Sequence, residues 1–414
     1  MADAGTLSRI GGTLKVVYGP QYVVDQQNKA AVTRKDFSNT PETARVGGDH
    51  YEFSVKVGGN RAAVQFQSSD GPLATPGRQN NQKMQVFDRM LTSNIRLFEK
   101  DIRNSETAPQ AFVSTLDDEV NNAVEDAMKV TNVDTFLDGT GIRGTVSAGA
   151  NSSNQTLAVG TTFGQFGSRY LQKNDVIDFY DSTLTTSRTG GNGVTINGIT
   201  PSSGGGAATL ALSAAVNTTT GDIAVWGNAG PNKAYMGLWG ATNNGTETFQ
   251  GQPRSTFPIL KGTVVDAGGK GLSETLLDQL FSGVETATGD ANTIKELRTG
   301  QAQFDNYAAL GYAQKRFTDS KLDKGFQELD YRGIPFKKDV DCPPPAIFGL
   351  NMEYVQNGIP QPLNWVDRDG DMLKWDAGFV AWKAILMEMG NYCYPRPNAL
   401  GRIQALQVGN NYQR

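Results

Sequence analysis

The stretch FLDGTGIRGTV (residues 136–146) holds Gly139, Gly141 and Gly144 in the spacing G-x-G-x-x-G, the pattern of a phosphate cradle. That chemistry needs a strand running into the glycines and a helix leaving them, so that helix N–H groups face a pyrophosphate. Here the order is reversed. Apolar residues recur at Phe112, Val113, Leu116, Val120, Ala123, Val124, Ala127, Met128, Val133, Phe136 and Leu137, near the helical period, so 109–138 reads as one helix ending at the glycines. Glycine at a helix C-terminus takes the left-handed conformation that stops the helix, and the negative dipole end repels phosphate. The expectation is a stop signal and not a nucleotide site.

Other candidate chemistry fails on spacing. VVDAGGKG (264–271) has Val264 where a phosphate loop needs its first glycine, and Gly271 where Ser or Thr must follow the lysine. DRDGD (367–371) lacks the glutamate of a calcium loop, and Asp369-Gly370 reads as a hairpin turn between two strands. The pairs Asp117/Asp118 and Asp339/Asp341 fall on a solvated helix face and in a proline-bounded loop. His50 is the single histidine, which rules out His-pair metal sites and leaves a histidine-based triad without partners. Cys342 and Cys393 are too few for a disulfide framework and read as reduced thiols in a cytosolic setting. No acid, base and nucleophile converge, so no catalytic residue, cofactor or metal is expected.

The 414 residues are enough for two or more packed units, and a net charge of −4 gives no basic footprint for gripping nucleic acid. Enclosing it without gripping remains compatible with that charge. The N-terminal MADAGTLSRIGG has no apolar core of a signal peptide, and no apolar run of about 18 residues occurs, so neither secretion nor a membrane span is expected. Sequons at Asn151, Asn154, Asn217 and Asn244 then carry no meaning.

The elements that would position any site have an unusual order. Residues 1–45 are polar with weak periodicity and read as an extended arm. HYEFSVKVGGNRAAVQFQ places Tyr51, Phe53, Val55 and Val57 on one strand face, and SSDGPLATPGRQNNQ forms an irregular tip. KMQVFDRMLTSNIRLFEKDI (83–102) returns as a second strand of a long hairpin arm. A two-stranded hairpin is marginal in water, so it is expected to lie on another surface, in this chain or a neighbouring copy. The helix of 109–138 would be about 45 Å long, a spine for the molecule.

Between 146 and 230, short β-like runs at 175–181, 193–198, 208–214 and 222–227 separate Gly/Ser/Thr/Asn-rich turns, as in a small all-β insertion. Helices follow at 272–285, with Ser273 as N-cap, and at 300–317, mixed with strand-like pieces to the end. The class is α+β. Arms and exposed hairpins cost conformational entropy that burial between molecules must offset, so the stable form is expected to be an assembly.

This ordered set resembles the major capsid proteins of tailed double-stranded DNA bacteriophages. The resemblance covers nearly the whole chain and is carried by VYGPQYVVDQQNKAAVTRK, RVGGDHYEFSVKVGGNRA, FLDGTGIRGTV, ELDYRGIPFKKDVDCPPPAIFGLNMEYV and FVAWKAILMEMGNYCYPRPNALGRIQAL. It implies a Hong Kong 97-type capsid fold. Residues 1–45 would be the N-terminal arm and 46–85 the extended loop lying over a neighbouring subunit. Residues 86–145, 231–290 and 378–414 would build the peripheral domain, 146–230 the insertion domain, and 291–377 the axial domain around capsomer centres.

By the same resemblance the partners are copies of the chain in hexamers and pentamers, with a separate scaffolding protein, a portal and, in some relatives, a decoration protein. The shell would be assembled in the bacterial cytoplasm around double-stranded DNA, with no sequence-specific contact and no membrane. No motif fixes the Lys–Asn crosslink of some relatives. Arg61, Phe66 and Arg78 are the expected subunit-interface residues; the two arginines lie near the hairpin and its tip with few acids close by in sequence. Two other readings compete. A bacterial nanocompartment shell usually lacks so large a β insertion. A carbohydrate-binding phage structural protein is suggested by the Gly/Asn/Thr-rich β region and opposed by the spine helix.

Overall fold

In a computed structural model of the chain, the described residues are 33–41, 44–59, 64, 71, 78–100, 109–202, 206–227, 230–291, 293–315, 330–367, 374–376, 378–409 and 412. A short 3-10 turn, Arg34–Asp36, leads into β1 (Ser38–Asn39). Strands β2 (Arg45–Val46), β3 (His50–Gly58) and β4 (Asn80–Phe87) form an antiparallel sheet in which Tyr51 faces Val86 and Phe53 faces Met84. β5 (Arg89–Phe98) then leaves that sheet, and helix α1 (Pro109–Phe136) follows.

The second hairpin run therefore does not continue to residue 102 as one strand. It breaks at Asp88, whose carboxylate pairs with Arg45 at 2.8 Å, while the Phe87 carbonyl accepts a bond from Asn391 Nδ2 at 3.0 Å. Beyond the break, β5 pairs along its whole length with a strand near the C-terminus. The described hairpin lies on a surface of this chain, as one of the two expected alternatives: Tyr51, Val55, Met84 and Val86 are buried against its body.

Gly139 and Gly141, just after α1, have φ of +85° and +84°, the left-handed conformation expected at the stop. A Cβ on Gly237 would lie 2.2 to 2.7 Å from the carbonyl oxygens of Asp134, Thr135 and Leu137. Gly237 thus packs directly onto the carbonyl end of α1, where a cradled phosphate would have to sit.

Six strands, β6 (Ile142–Ala148), β7 (Asn151–Leu157), β8 (Val176–Tyr180), β9 (Val194–Thr200), β10 (Ala208–Asn217) and β11 (Ile223–Trp226), close into a barrel in the order β10-β7-β6-β11-β8-β9. Alternate residues fill its interior, among them Leu157, Ile177, Phe179, Ile196 and Leu210. The barrel starts at Ile142, four residues before the expected boundary, and β6 and β7 were absent from the sequence reading. β7 (NSSNQTL) hides its role because its key inward residue is Gln155. That side chain donates to the carbonyls of Ala150, Ser152 and Val216 and accepts from Thr218, holding the bulge in β10.

After the short helix α2 (Leu238–Ala241), a small hairpin of β12 (Thr248–Phe249) and β13 (Gln252–Pro253) precedes β14 (Thr263–Asp266) and α3 (Glu274–Thr288). Ser273 caps α3 by accepting from the Leu276 N–H, and Gly289 ends it at φ +72°. β15 (Glu296–Thr299), α4 (Gln301–Lys315), β16 (Asp330–Tyr331), β17 (Ile334–Lys338) and β18 (Ile347–Leu350) follow, then β19 (Gln356–Trp365), β20 (Lys374–Asp376), β21 (Ala381–Cys393) and β22 (Gly401–Gln404).

Two sheets organise the body. One has six strands in the order β14-β22-β18-β15-β17-β16, with α3 and α4 packed on it through Leu277, Leu280, Phe281 and Phe304. The other is built on β21, which pairs with β5 on one edge and with β19 and β20 on the other, while β1 runs parallel to β19. α1 seats Val120, Val124, Ala127 and Met128 on Ile95, Leu97, Leu363 and Leu386 of this sheet. β19 and β20 lie end to end along one edge of β21. Asp369-Gly370 itself falls outside the described residues.

The barrel's entry and exit run side by side: Trp226 N–H donates to the Gly141 carbonyl and Asn232 N–H to the Thr140 carbonyl, both at 2.9 Å. Replacing residues 142–229 by two glycines, together with Asp134→Asn so that no buried carboxylate is left without Arg143, should therefore leave α1 and both body sheets folded, with a single cooperative urea transition and the α1 circular-dichroism signal retained. Loss of cooperativity would show that the barrel is integral to the body. A cut beginning inside β7 would instead leave β6 without its partner β11 and should fold less well.

Candidate assembly surfaces

Where the arm meets the body, a few residues join the two sheets. Arg34 Nη2 donates to Glu388 Oε2 of β21 at 2.8 Å, and both side chains are almost fully buried. Two residues on, Asp36 pairs with Arg298 of β15 and, at 3.4 Å, with Lys337 of β17. Arg298 also holds Glu296, and its Nη1 donates to Thr33 Oγ1 at 2.7 Å. Thr33 in turn donates to Asp339, which also accepts from Asn132 of α1 at 3.3 Å. Phe37 enters the central core edge-on to Tyr392, with ring centroids 5.4 Å apart. Residues 33–40 thus lie against the chain's own body through Thr33, Arg34, Phe37 and Thr40; residues 1–32 of the expected arm fall outside the described residues.

Burial alone would raise the Asp36 carboxyl, but Arg298 and then Lys337 outweigh it and hold the group below its usual range. Nothing in the arm's composition announced this role. Glu388 could have been found: in AWKAILMEMGNYC it shares strand parity with Ala384 and Leu386, which face α1.

The loop sheet has its own polar brace. Glu52 accepts from Gln85 Nε2 at 2.9 Å and Lys83 at 3.2 Å, and these bonds draw its carboxyl down to about 2. His50 sits between Asp49 and Glu52, whose acceptors raise its pKa. Arg78 lies exposed just before β4. Arg61 and Phe66 fall outside the described residues.

The second exposed surface is the face of the β21 sheet turned away from α1. There Met90, Thr92, Asn364, Lys374, Lys383, Ile385 and Met387 line an open groove of about 830 Å³. Beside it Phe98, Trp375, Phe379 and Val380 are all roughly half exposed or more. Arg96 covers the Phe379 ring at 4.0 Å and pairs with Asp376 at 3.3 Å, and Trp375 meets Trp382 edge-on. An apolar, aromatic face of this extent is typical of a surface that contacts another molecule.

A chain with an arm root packed on its body, a three-stranded loop sheet, a long spine helix on a β-sheet and an inserted barrel has the Hong Kong 97-type capsid architecture. It matches a chain in the capsid asymmetric unit of cyanophage A-1(L) with a TM-score of 0.53, 14% identity and 90% of both chains covered. Two looser likenesses are to the satellite phage P4 procapsid (TM-score 0.43, 10% identity, 99% of each chain) and to the holo-SrpI encapsulin complex of Synechococcus elongatus PCC 7942 (0.44, 8%, 92% of this chain and 88% of that one). No family model matches the sequence, and no curated protein matches it.

Replacing Arg34 with Met strands a buried carboxylate, so the variant should lose about 3–5 kcal/mol, read as a lower urea midpoint at unchanged slope. The Arg34→Met, Glu388→Met double variant should recover most of that loss. A single-variant loss under about 1 kcal/mol would mean the pair is dispensable. Asp36 adds a pH dependence of defined sign. Because its folded pKa lies below the ordinary value, its contribution is complete at neutral pH and disappears as pH falls through about 4 and below. The stability gap between wild type and Asp36→Asn should therefore shrink at pH 3; an unchanged gap would count against the ion pair.

Proposed function

We propose that the chain is the major capsid protein of a tailed double-stranded DNA bacteriophage and that its activity is self-assembly. Identical subunits form hexamers and pentamers and close an icosahedral shell around the genome. The observation that carries this reading is the fold match to the cyanophage A-1(L) capsid chain over nine-tenths of both chains. A net charge of −4 supports it, since a container wall should not grip its cargo.

In this reading residues 1–45 are the N-terminal arm and 46–85 the loop that reaches a neighbour. Residues 86–145, 231–290 and 378–414 form the peripheral domain, 146–230 the insertion and 291–377 the axial domain. The exposed face of the β21 sheet is a contact surface between copies, because its groove, with Met90, Ile385 and Met387, and the neighbouring Phe98 and Phe379 are left uncovered in the single chain. Arg61, Phe66 and Arg78 act at the loop contact. A separate scaffold, a portal and a decoration protein are the further partners, and assembly takes place in the host cytoplasm. The rival shell, a nanocompartment, is disfavoured by the six-stranded barrel inserted after α1.

The test is expression of the chain alone, followed by sedimentation and negative-stain microscopy. Closed shells or capsomer rings support the proposal; a monomer that stays monomeric when scaffold-containing lysate of infected cells is added refutes it. Reversing both loop charges, Arg61→Glu with Arg78→Glu, should abolish or sharply reduce shell yield while leaving the monomer's circular dichroism unchanged. Normal yield from the double variant would exclude charge as the loop's means of contact.

A further inference from the structure

Four asparagines are followed by glycine, at 192–193, 197–198, 244–245 and 357–358. Such a pair can react with itself: without a Cβ on the second residue, its peptide nitrogen lies open to the carboxamide carbon of the first. The fold treats the four pairs differently. The Gly193 N–H is held by Asp178 Oδ1 at 2.6 Å. Asn197 and Gly198 lie within β9, with Gly198 opposite Ala211 of β10. Asn357 and Gly358 lie within β19, where Asn357 Nδ2 donates to the Arg34 carbonyl at 3.5 Å and Gly358 is buried opposite Asn391. In an extended strand the side chain stands out of the pleat, away from the following peptide nitrogen, so these last two pairs are held apart.

Asn244-Gly245 has none of these restraints. It lies in the connection between α2 and β12, and Asn244 is exposed. Among the described residues, neither its carboxamide nor the Gly245 N–H has a hydrogen-bond partner. The residues on either side are fixed. Asn243 Nδ2 donates to Glu247 Oε1 at 2.8 Å, and Asn243 Oδ1 accepts from the Asn244 N–H at 3.0 Å and from Arg402 Nη2 at 3.3 Å. Glu247 in turn pairs with Arg254. A Cβ on Gly245 would fall 2.0 Å from Glu247 Oε2, so the brace as built seats a glycine there. The loop thus calls for glycine after Asn244 and leaves both reacting groups of the pair unoccupied.

We propose that Asn244 is a site of spontaneous modification, converted in the folded chain through a cyclic imide to aspartate and isoaspartate. The Gly245 nitrogen loses its proton to solvent and bonds to Asn244 Cγ. The Cγ–Nδ2 bond breaks, and Nδ2 leaves as ammonia, taking a proton back from solvent. Water then opens the imide at either carbonyl. One opening leaves aspartate at 244; the other routes the backbone through the side chain as isoaspartate. A converted chain gains a negative charge in the loop that braces Arg254 and Arg402.

The test is incubation of the purified full chain at mildly alkaline pH, then trypsin digestion and tandem mass spectrometry against an unincubated sample. Cleavage after lysine and arginine places Asn244 in peptide 234–254, Asn192 and Asn197 in 189–233, and Asn357 in 339–368. Asn244 should convert at least about ten times faster than the other three, because those must first escape their hydrogen bonds or strands by local opening. In urea, where all four pairs are unfolded, the difference should vanish. Asn244→Gln should abolish the conversion in 234–254 and leave the Tm unchanged, since that side chain holds no partner. Conversion at 192, 197 or 357 as fast as at 244, no conversion at 244 in the native chain, or a difference that persists in urea would overturn the proposal.

Discussion

The buried pair of Arg34 and Glu388 is the constraint around which the body is arranged. A carboxylate in the middle of a strand, between Leu386 and Gly390 and beneath α1, is costly unless a cation reaches it. The cation comes from the root of the arm, which turns Thr33, Arg34, Phe37 and Thr40 inward while Lys35, Ser38 and Asn39 stay at the surface. Once there, the same eight residues meet the other sheet through Asp36 and Arg298 and extend the first through β1. The relative setting of the two sheets is thus fixed by ionic contacts as much as by the shared aromatic core of Phe37, Trp239, Phe348 and Tyr392. A buried ion pair adds little net stability over an apolar one, but it rejects alternative registers, since a slip of one residue would leave both charges unpaired.

Elements whose reason is local were legible in the sequence. α1 shows its apolar stripe and its glycine stop, α3 shows Ser273 and Gly289 at its ends, and four barrel strands show alternation. What was hidden depends on partners far along the chain. β5 looks like the rest of a hairpin until β21, nearly three hundred residues later, is known to claim it. β7 looks like a polar linker because its inward position is a glutamine satisfied by backbone carbonyls. Thr131, Asn132, Asp134 and Thr135 look like a solvated helix face, yet the last turns of α1 are buried on every side. Periodicity reports one-sided burial, so it cannot distinguish a polar surface from a polar residue buried with its partner.

The candidate surfaces divide in the same way. The strand character of the loop sheet was readable from its alternation, whereas its brace at Glu52 and its seat on Met84 were not. The groove on the β21 sheet was invisible in sequence, because Met90, Ile385 and Met387 come from strands that meet only in the fold. Apolar residues on an outward sheet face read as ordinary core until the layer above them proves to be missing.

The long separation between Arg34 and Glu388, 354 positions, has a consequence in time. During synthesis the barrel strands, contained between residues 142 and 226, can all pair before the body sheets exist, because nothing they need is still to be made. The arm root has no such freedom: both of its anchoring sheets require strands beyond residue 290. At a ribosomal rate of about 5–20 residues per second, the arm waits some tens of seconds for its partner. The nascent chain therefore carries a finished barrel beside an unlatched arm, and the subunit becomes complete only when its beginning and its final third are joined.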